Sequence, residues 1–143
     1  MSSPPTQTPT ETSQDESFPL TIQCHCSRLK ISYPSKPTSL NACHCSVCYK
    51  YGVLWGYFPG NEVTITESDG ATIQDYIRSD EGRTGHLAFR RCSHCGCVMC
   101  WSRLKEGPKT LSTGVNFRLA DWRLIEGIPQ RTGMKESNEW PKA

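Results

Sequence analysis

The sequence predicts a mainly β protein built from several small antiparallel sheets. Eight short segments are rich in Val, Ile, Thr, Tyr, Phe and Trp, and several of them alternate apolar with polar residues. Turn-forming stretches such as PSKP, PGN, SDG and KEGP separate these segments. No stretch of about 12 residues carries apolar residues at the 3.6-residue spacing of an amphipathic helix.

The predicted strands follow one another along the middle of the chain. In order they are residues 20–26, 28–33, 53–58, 62–67, 71–77, 85–91, 98–104 and 110–117. A short helical turn is predicted in SVCYKYG, residues 46–52. We therefore place one domain at residues 18–127. A disordered tail rich in Ser, Thr and Pro precedes it at residues 1–17, and a poorly structured tail follows at 128–143, where Trp140 could fold back onto the body.

Length, charge and hydrophobicity exclude several classes of function. The chain has 143 residues, which suits one domain with its own core. Its formal net charge of +2 gives no indication of a nucleic-acid or membrane partner. Apolar runs fall far short of the roughly 20 residues that span a bilayer, and the N-terminus lacks the features of a secretory signal. We expect a cytoplasmic protein that acts on a small molecule.

Cysteine is the unusual component of the sequence. The chain has nine, at positions 24, 26, 43, 45, 48, 92, 95, 97 and 100. The odd number, the tight spacing and the expected compartment favour bonds between thiolates and a metal over disulfides. Disulfides between such close neighbours would also be strained.

Two cysteine pairs could form a closed metal site. On a β-strand, Cys24 and Cys26 would point to the same face of the sheet. Cys92 and Cys95 form a CxxC motif followed by a glycine, which is typical of a metal-binding turn. Four thiolates complete a tetrahedral shell and are typical of structural zinc, which contributes directly to the free energy of folding.

Cys43, Cys45 and Cys48 form a separate triple. Three protein ligands leave one coordination position open, as in catalytic zinc sites. The alternative is a second closed site. Spacing alone does not choose between the two, because a fourth ligand could come from Cys97, Cys100 or His44.

The sequence resembles a known family, the glutathione-dependent formaldehyde-activating enzymes, which are also grouped with centromere protein V. The matching features are the early CxC, ACHCSVCYKYG at residues 42–52, TIQDYIRSD at 72–80 and FRRCSHCG at 89–96. Their order and intervals fit over roughly residues 19–126.

The resemblance implies a fold of small antiparallel sheets called a β-tent. It implies a structural zinc on Cys24, Cys26, Cys92 and Cys95, and a catalytic zinc on Cys43, Cys45 and Cys48. It also implies a carbon–sulfur lyase that reversibly adds glutathione to formaldehyde, as S-(hydroxymethyl)glutathione synthase does. The alternatives are a zinc lyase or isomerase of the same type acting on a different substrate, such as a specialised metabolite, and a non-catalytic zinc-binding interaction module.

The substrate pocket has candidate residues of two kinds. Aromatic side chains could form its wall, and the candidates are Tyr51, Trp55, Tyr57, Phe58 and Phe117. Arginines could bind the carboxylates of glutathione, and the candidates are Arg78, Arg83, Arg90, Arg91, Arg103 and Arg118.

Two features depart from the family pattern. Cys97 and Cys100 are extra cysteines, which we interpret as buried thiols. The segment STGVNFRLAD, residues 112–121, differs from the family, so it could alter the pocket and the substrate.

Overall fold

The computed structural model of the protein describes residues 17–78, 87–104 and 112–135. Over these residues the fold is mainly β with small antiparallel sheets, as the sequence predicted, and each of the eight predicted segments contains a strand. The predicted N-terminal tail lies outside the described residues except for Ser17, and Trp140 lies outside them as well. Within the described ranges, no helix has the length and hydrophobicity that crossing a membrane requires.

The smaller sheet has three antiparallel strands, in the order β1 (Thr21–Gln23), β2 (Leu29–Ser32) and β5 (Thr64–Glu67). Leu29 and Ile31 of β2 are fully buried while Lys30 between them is exposed, so the alternation in the sequence places one face of this sheet on the core.

The larger sheet has seven strands. They are β3 (Leu40–Asn41), β4 (Trp55–Pro59), β6 (Ile73–Ile77), β7 (Leu87–Cys92), β8 (Val98–Arg103), β9 (Ser112–Asn116) and β10 (Gln130–Arg131). Their order in the sheet is β10-β3-β4-β9-β8-β7-β6. Neighbouring strands are antiparallel except for β10, which runs parallel to β3.

The helices are short. Helix α1 (Ser46–Tyr51) occupies the predicted helical turn and ends at Gly52, whose φ of 67° is the left-handed conformation that glycine adopts most readily. Helix α2 (Trp122–Ile125) begins after Asp121, whose carboxylate accepts a hydrogen bond from the Arg123 amide. Single 3₁₀ turns lie at residues Gly60–Glu62 and Phe117–Leu119.

Aromatic rings fill the centre of the core. Phe117 lies 5.0 Å from Tyr33 and 6.1 Å from Phe58, measured between ring centroids. Gly56 of β4 allows the approach of Phe117, because a Cβ at that position would lie 2.5 Å from the Phe117 ring. Phe58 and Phe117 therefore support the core that joins the sheets.

The side chain of Asn116, at the end of β9, binds three backbone groups. Its Oδ1 accepts hydrogen bonds from the amides of Leu54 and Arg118, and its Nδ2 donates to the carbonyl of Val98 at 2.8 Å. Asn116 is buried, so these bonds satisfy groups that water does not reach. The segment at residues 112–121 therefore carries a structural asparagine. It connects β9 to β8 and to the residues before β4.

The chain after Gly127 differs from the expected unstructured tail. Ile128 is buried, and Gln130–Arg131 pair with β3. Apolar periodicity could not indicate this strand, because it has two residues and both are exposed.

We predict that Asn116→Ala lowers the free energy of unfolding by about 1–3 kcal/mol, because buried backbone groups lose their partners. Denaturant unfolding in a buffer that contains zinc measures this change. Asn61→Ala, at an exposed position, is the matched control and should change the value by less than about 0.5 kcal/mol. Equal effects of the two substitutions would contradict the structural role of Asn116.

Candidate functional site

Four cysteine sulfurs converge where the two sheets meet. The Sγ atoms of Cys24, Cys26, Cys92 and Cys95 all lie within 4.8 Å of one another. Two of the separations are 3.5 Å, from Cys24 to Cys26, and 3.6 Å, from Cys26 to Cys92. A tetrahedral zinc with Zn–S bonds of about 2.3 Å would set its sulfur ligands about 3.8 Å apart. The group therefore fits a four-coordinate metal ion, and its thiols are free rather than joined as disulfides.

Cys24 and Cys26 are brought together by a turn, not by the pleat of a strand as the sequence suggested. Strand β1 ends at Gln23, and the Ser27 amide donates to the Cys24 carbonyl at 3.0 Å. Ser27 has a φ of 68°, which reverses the chain. The short CxC spacing cannot distinguish this turn from an extended strand.

Cys92 and Cys95 lie on the predicted metal-binding turn between β7 and β8. Gly96 has a φ of 79°, and its amide donates to the Cys92 carbonyl at 3.0 Å. The His94 amide donates to the Cys92 sulfur at 3.4 Å, and the Leu29 amide donates to the Cys24 sulfur at 3.3 Å. Such N–H···S contacts stabilise thiolates and therefore favour metal binding.

The thiols of this group differ in acidity. Burial raises the pKa of Cys26 to about 12, although a hydrogen bond with the backbone of Arg28 acts to lower it. Burial also opposes ionisation of Cys95, but hydrogen bonds from the backbones of Cys97 and Cys26, with contributions from neighbouring thiols, lower its pKa to about 6. Cys95 is therefore more readily ionised than Cys26.

The second group consists of Cys43, Cys45 and Cys48, whose Sγ atoms also lie within 4.8 Å of one another. Cys43 follows β3, Cys45 lies just before α1, and Cys48 lies in its first turn. The Tyr49 amide donates to the Cys45 carbonyl at 2.9 Å. The start of the helix thus sets the spacing between Cys45 and Cys48.

Buried apolar residues from several strands surround the triple. Cys45 and Cys48 pack in a cluster with Val53, Trp55, Phe89 and Val98. The indole Nε1–H of Trp55 donates to the Cys48 sulfur at 3.3 Å. Trp55, predicted as an aromatic wall, therefore both packs against the site and stabilises a thiolate in it.

Hydrogen bonds within the triple couple its thiols. Bonds from the Cys43 and Cys48 thiols lower the pKa of Cys45, and the positive charge of Arg78 lowers it further. Hydrogen bonds with Cys43 and Cys45 raise the pKa of Cys48, and the bond with Cys45 raises the pKa of Cys43. Without a metal, these effects favour ionisation of Cys45 over that of Cys43 and Cys48, whereas a divalent cation can hold all three ionised.

No fourth cysteine, histidine or carboxylate joins the triple within residues 17–78, 87–104 and 112–135. The His44 ring packs edge-on against Tyr49, with 5.0 Å between centroids. Cys97 is half-buried beside Cys95 of the first group. Cys100 is buried on β8, where burial raises its pKa to about 11, as the interpretation of a buried thiol requires.

A cleft of about 360 Å³ lies beside α1. Its walls include Ser46 and Val47, which lie between two cysteines of the triple, and Lys50, Tyr51 and Tyr76. This volume is at the lower end of small-molecule sites. Of the aromatic candidates, Tyr51 lines the cleft, and Tyr57 packs against the cluster around the triple.

The structure separates the arginine candidates. Arg78 is buried and acts electrostatically on Cys45. Burial raises the pKa of Tyr51 while the charge of Arg91 lowers it, which places Arg91 near the cleft. Arg90 lies 3.8 Å from Asp75, and the remaining two described candidates, Arg103 and Arg118, are exposed. The sixth candidate, Arg83, lies outside the described residues.

Most of the chain matches a known protein family. The family model of the glutathione-dependent formaldehyde-activating enzymes matches residues 19–123. The chain belongs to this family. The match contains both cysteine groups and ends before β10, so the family pattern covers the sulfur atoms but not the C-terminal strand.

The fold of this family member is also found in a solved structure. A crystal structure of a Rhodobacter sphaeroides protein, a Northeast Structural Genomics target, superposes with a TM-score of 0.58 at 16% sequence identity. The similarity covers 78% of this chain and 99% of that protein. At this identity the comparison supports a shared fold. No curated protein matches the chain.

Sequence reasoning did not identify Asn41, which lies at the end of β3 just before the triple. It is buried, and its Nδ2 donates to the Tyr57 hydroxyl at 2.7 Å while its Oδ1 accepts from the Gly133 amide at 2.8 Å. The sequence shows only that an asparagine precedes ACHC, because its partners are distant along the chain.

We predict that Cys95→Ser removes one metal ion per chain and destabilises the fold, because a four-sulfur group becomes incomplete. Metal analysis and thermal unfolding in a metal-buffered solution measure both effects. Cys97→Ser is the matched control, because Cys97 is two residues away and outside the group. It should retain the full metal content, and loss of metal in Cys97→Ser with retention in Cys95→Ser would refute this ligand set.

Proposed function

We propose that the protein is a zinc-dependent carbon–sulfur lyase-type enzyme acting on small adducts of a thiol and an aldehyde. S-(hydroxymethyl)glutathione, formed from glutathione and formaldehyde, is the default substrate that the family description suggests. The family supports the class of reaction. The residues that line the cleft beside the triple support a binding site for the substrate.

One observation carries this proposal. Three sulfur ligands converge without a fourth among the described residues, and the segment that bears them also forms the wall of a cleft. Three protein ligands on zinc leave a coordination position for a substrate. The four-sulfur group would be closed to substrate, so we assign it a structural zinc on Cys24, Cys26, Cys92 and Cys95, and the catalytic zinc to Cys43, Cys45 and Cys48.

The proposed reaction needs no other reagent. In the synthetic direction, a thiol loses its proton and its sulfur forms a bond with the carbonyl carbon. The π bond of the carbonyl breaks, its electron pair passes to the oxygen, and the oxygen gains a proton. The lyase direction reverses these steps. When zinc is bound, it lowers the pKa of a thiol or hydroxyl that coordinates it.

Arg78 would balance the charge of the site. Three thiolates around one divalent ion leave one net negative charge, and a buried cation stabilises such an excess. Arg78 is 4% exposed and its charge favours the Cys45 thiolate.

The cleft offers groups suited to glutathione. Lys50 lines it and the charge of Arg91 acts on Tyr51, so these two cations are our candidates for binding the carboxylates of glutathione. The phenol rings of Tyr51 and Tyr76 provide apolar surface with a polar end. A small thiol with carboxylates at its ends fits this combination.

We predict that Cys45→Ser reduces zinc from two ions to one per chain, leaves the protein folded and lowers activity by at least about 100-fold. The reason is that an open site loses one of three ligands while the closed site remains. Zinc analysis, circular dichroism and NMR exchange between formaldehyde and its glutathione adduct measure these effects. Unfolding of Cys45→Ser, or full activity with one zinc, would contradict the catalytic assignment.

Cys97→Ser is the matched control for this experiment and should retain two zincs and wild-type activity. If the wild type binds two zincs but does not accelerate exchange with glutathione, the same assay with other thiols tests for a different adduct. Inactivity with every thiol tested would favour an interaction module.

We predict that Arg78→Gln lowers kcat/KM by about tenfold, because the negative charge at the triple loses its compensation. Arg103→Gln, which removes an exposed arginine, is the control and should stay within about twofold of wild type. Arg78→Lys should recover part of the loss because it restores the charge. Equal activity of Arg78→Gln and Arg103→Gln would refute this role.

A further inference from the structure

We propose that the C-terminal strand positions the three-cysteine site, with Asn41 and Gly133 as its positioning residues. The inference rests on the metal assignment of the proposed function. The C-terminal residues that it concerns, 129–133, lie outside the part of the chain that matches the family model, which ends at residue 123. The segment that these residues position is the backbone that carries Cys43 and Cys45.

Three backbone hydrogen bonds fasten this segment to the C-terminal strand. The amides of Leu40, Ala42 and His44 donate to the carbonyls of Pro129, Arg131 and Gly133, at 2.9, 2.8 and 2.7 Å. They follow the alternation of a parallel strand pair and continue past the two residues of β10. The last of them fixes the amide of His44, the residue between two ligands.

A side-chain bridge adds to this backbone ladder. Asn41 Oδ1 accepts from the Gly133 amide at 2.8 Å, so Gly133 both donates to and accepts from the segment that leads into the triple. Asn41 Nδ2 donates to the Tyr57 hydroxyl at 2.7 Å. Asn41 thereby ties the C-terminal strand to β4, which also carries Trp55 with its hydrogen bond to Cys48.

Gly133 permits this close approach. A Cβ at Gly133 would lie 2.7 Å from Asn41 Oδ1 and 2.9 Å from its Nδ2. The displaced atoms would be the ones that make the two hydrogen bonds of Asn41, so a methyl group could fit only by breaking the bridge.

The pairing of β3 with β4, just before Cys43 and Cys45, is short. Among the described strands, β3 has two residues, and its register with β4 consists of the Asn41–Trp55 pair. The C-terminal strand therefore supplies much of the order in the ligand segment before a metal binds. Groups that orient metal ligands change metal affinity by about 10–100-fold when they are removed.

The first test compares Gly133→Ala with Gly127→Ala in the full chain loaded with zinc. Neither glycine has a positive φ that disfavours alanine, and a Cβ at Gly127 meets no atom within 4 Å. Transfer of zinc to a colorimetric chelator is followed with time, and the phase from the three-cysteine site is identified by its absence in Cys45→Ser. Gly133→Ala should accelerate this phase by at least about tenfold, whereas Gly127→Ala should stay within about twofold of wild type.

A second variant tests the same inference in case Gly133→Ala does not fold. Asn41→Ala adds no atoms and removes the bridge, so it should accelerate the same phase. Tyr33→Phe is its control, because it removes the hydrogen bond from the Tyr33 hydroxyl to the Pro19 carbonyl in the main core. It should lower overall stability without a selective effect on the three-cysteine site.

The outcomes separate this inference from the proposed function. Selective acceleration of one phase by Gly133→Ala or Asn41→Ala supports the inference. Equal acceleration of both phases, or release within about twofold of the controls, overturns it while a second zinc in the wild type preserves the proposed function. A wild-type chain with one zinc would overturn both.

Discussion

The structure depends on the convergence of four sulfur atoms from two distant parts of the chain. Cys24 and Cys26 follow the first strand of the small sheet, whereas Cys92 and Cys95 lie on a turn of the large one. Cys26 and Cys92 are 66 positions apart in the chain, yet their sulfurs lie 3.6 Å apart. Closing a loop of this length costs conformational entropy, and a metal bound only in the folded state offsets that cost directly. The strands are short, so a metal link between the sheets would contribute more here than in a protein with long strands.

The second sulfur group differs from the first in its support. The four-sulfur group lies on two turns that donate backbone amides to sulfur, with Leu29 and His94 as donors. The triple is supported from outside by Trp55, by the charge of Arg78 and by the C-terminal strand. Completing a structural shell needs only four sulfurs, whereas an open site needs neighbours that keep three sulfurs in place without adding a fourth. This difference is consistent with separate functions for the two groups.

The sequence predicted what depends on local pattern and missed what depends on distant contacts. Alternating β-branched and aromatic residues predicted the strand segments, and the run after Cys45 predicted the short helix. Cysteine spacing identified which sulfurs could group together. The contact from Asn41 to Gly133 spans 92 positions and joins an ordinary asparagine to an ordinary glycine, so no local signal marks it. The choice of Arg78 among six arginines was likewise a matter of burial, which composition cannot show.

The proposed zinc sites differ in that the four-sulfur site is closed and the three-cysteine site is open. X-ray absorption at the zinc edge of the wild-type protein loaded with two ions distinguishes these geometries. We expect an average of about 3.5 sulfur ligands per zinc at about 2.3 Å, with a lighter oxygen or nitrogen ligand at about 2.0 Å. An average of four sulfurs and no lighter ligand would show two closed sites and refute the open site.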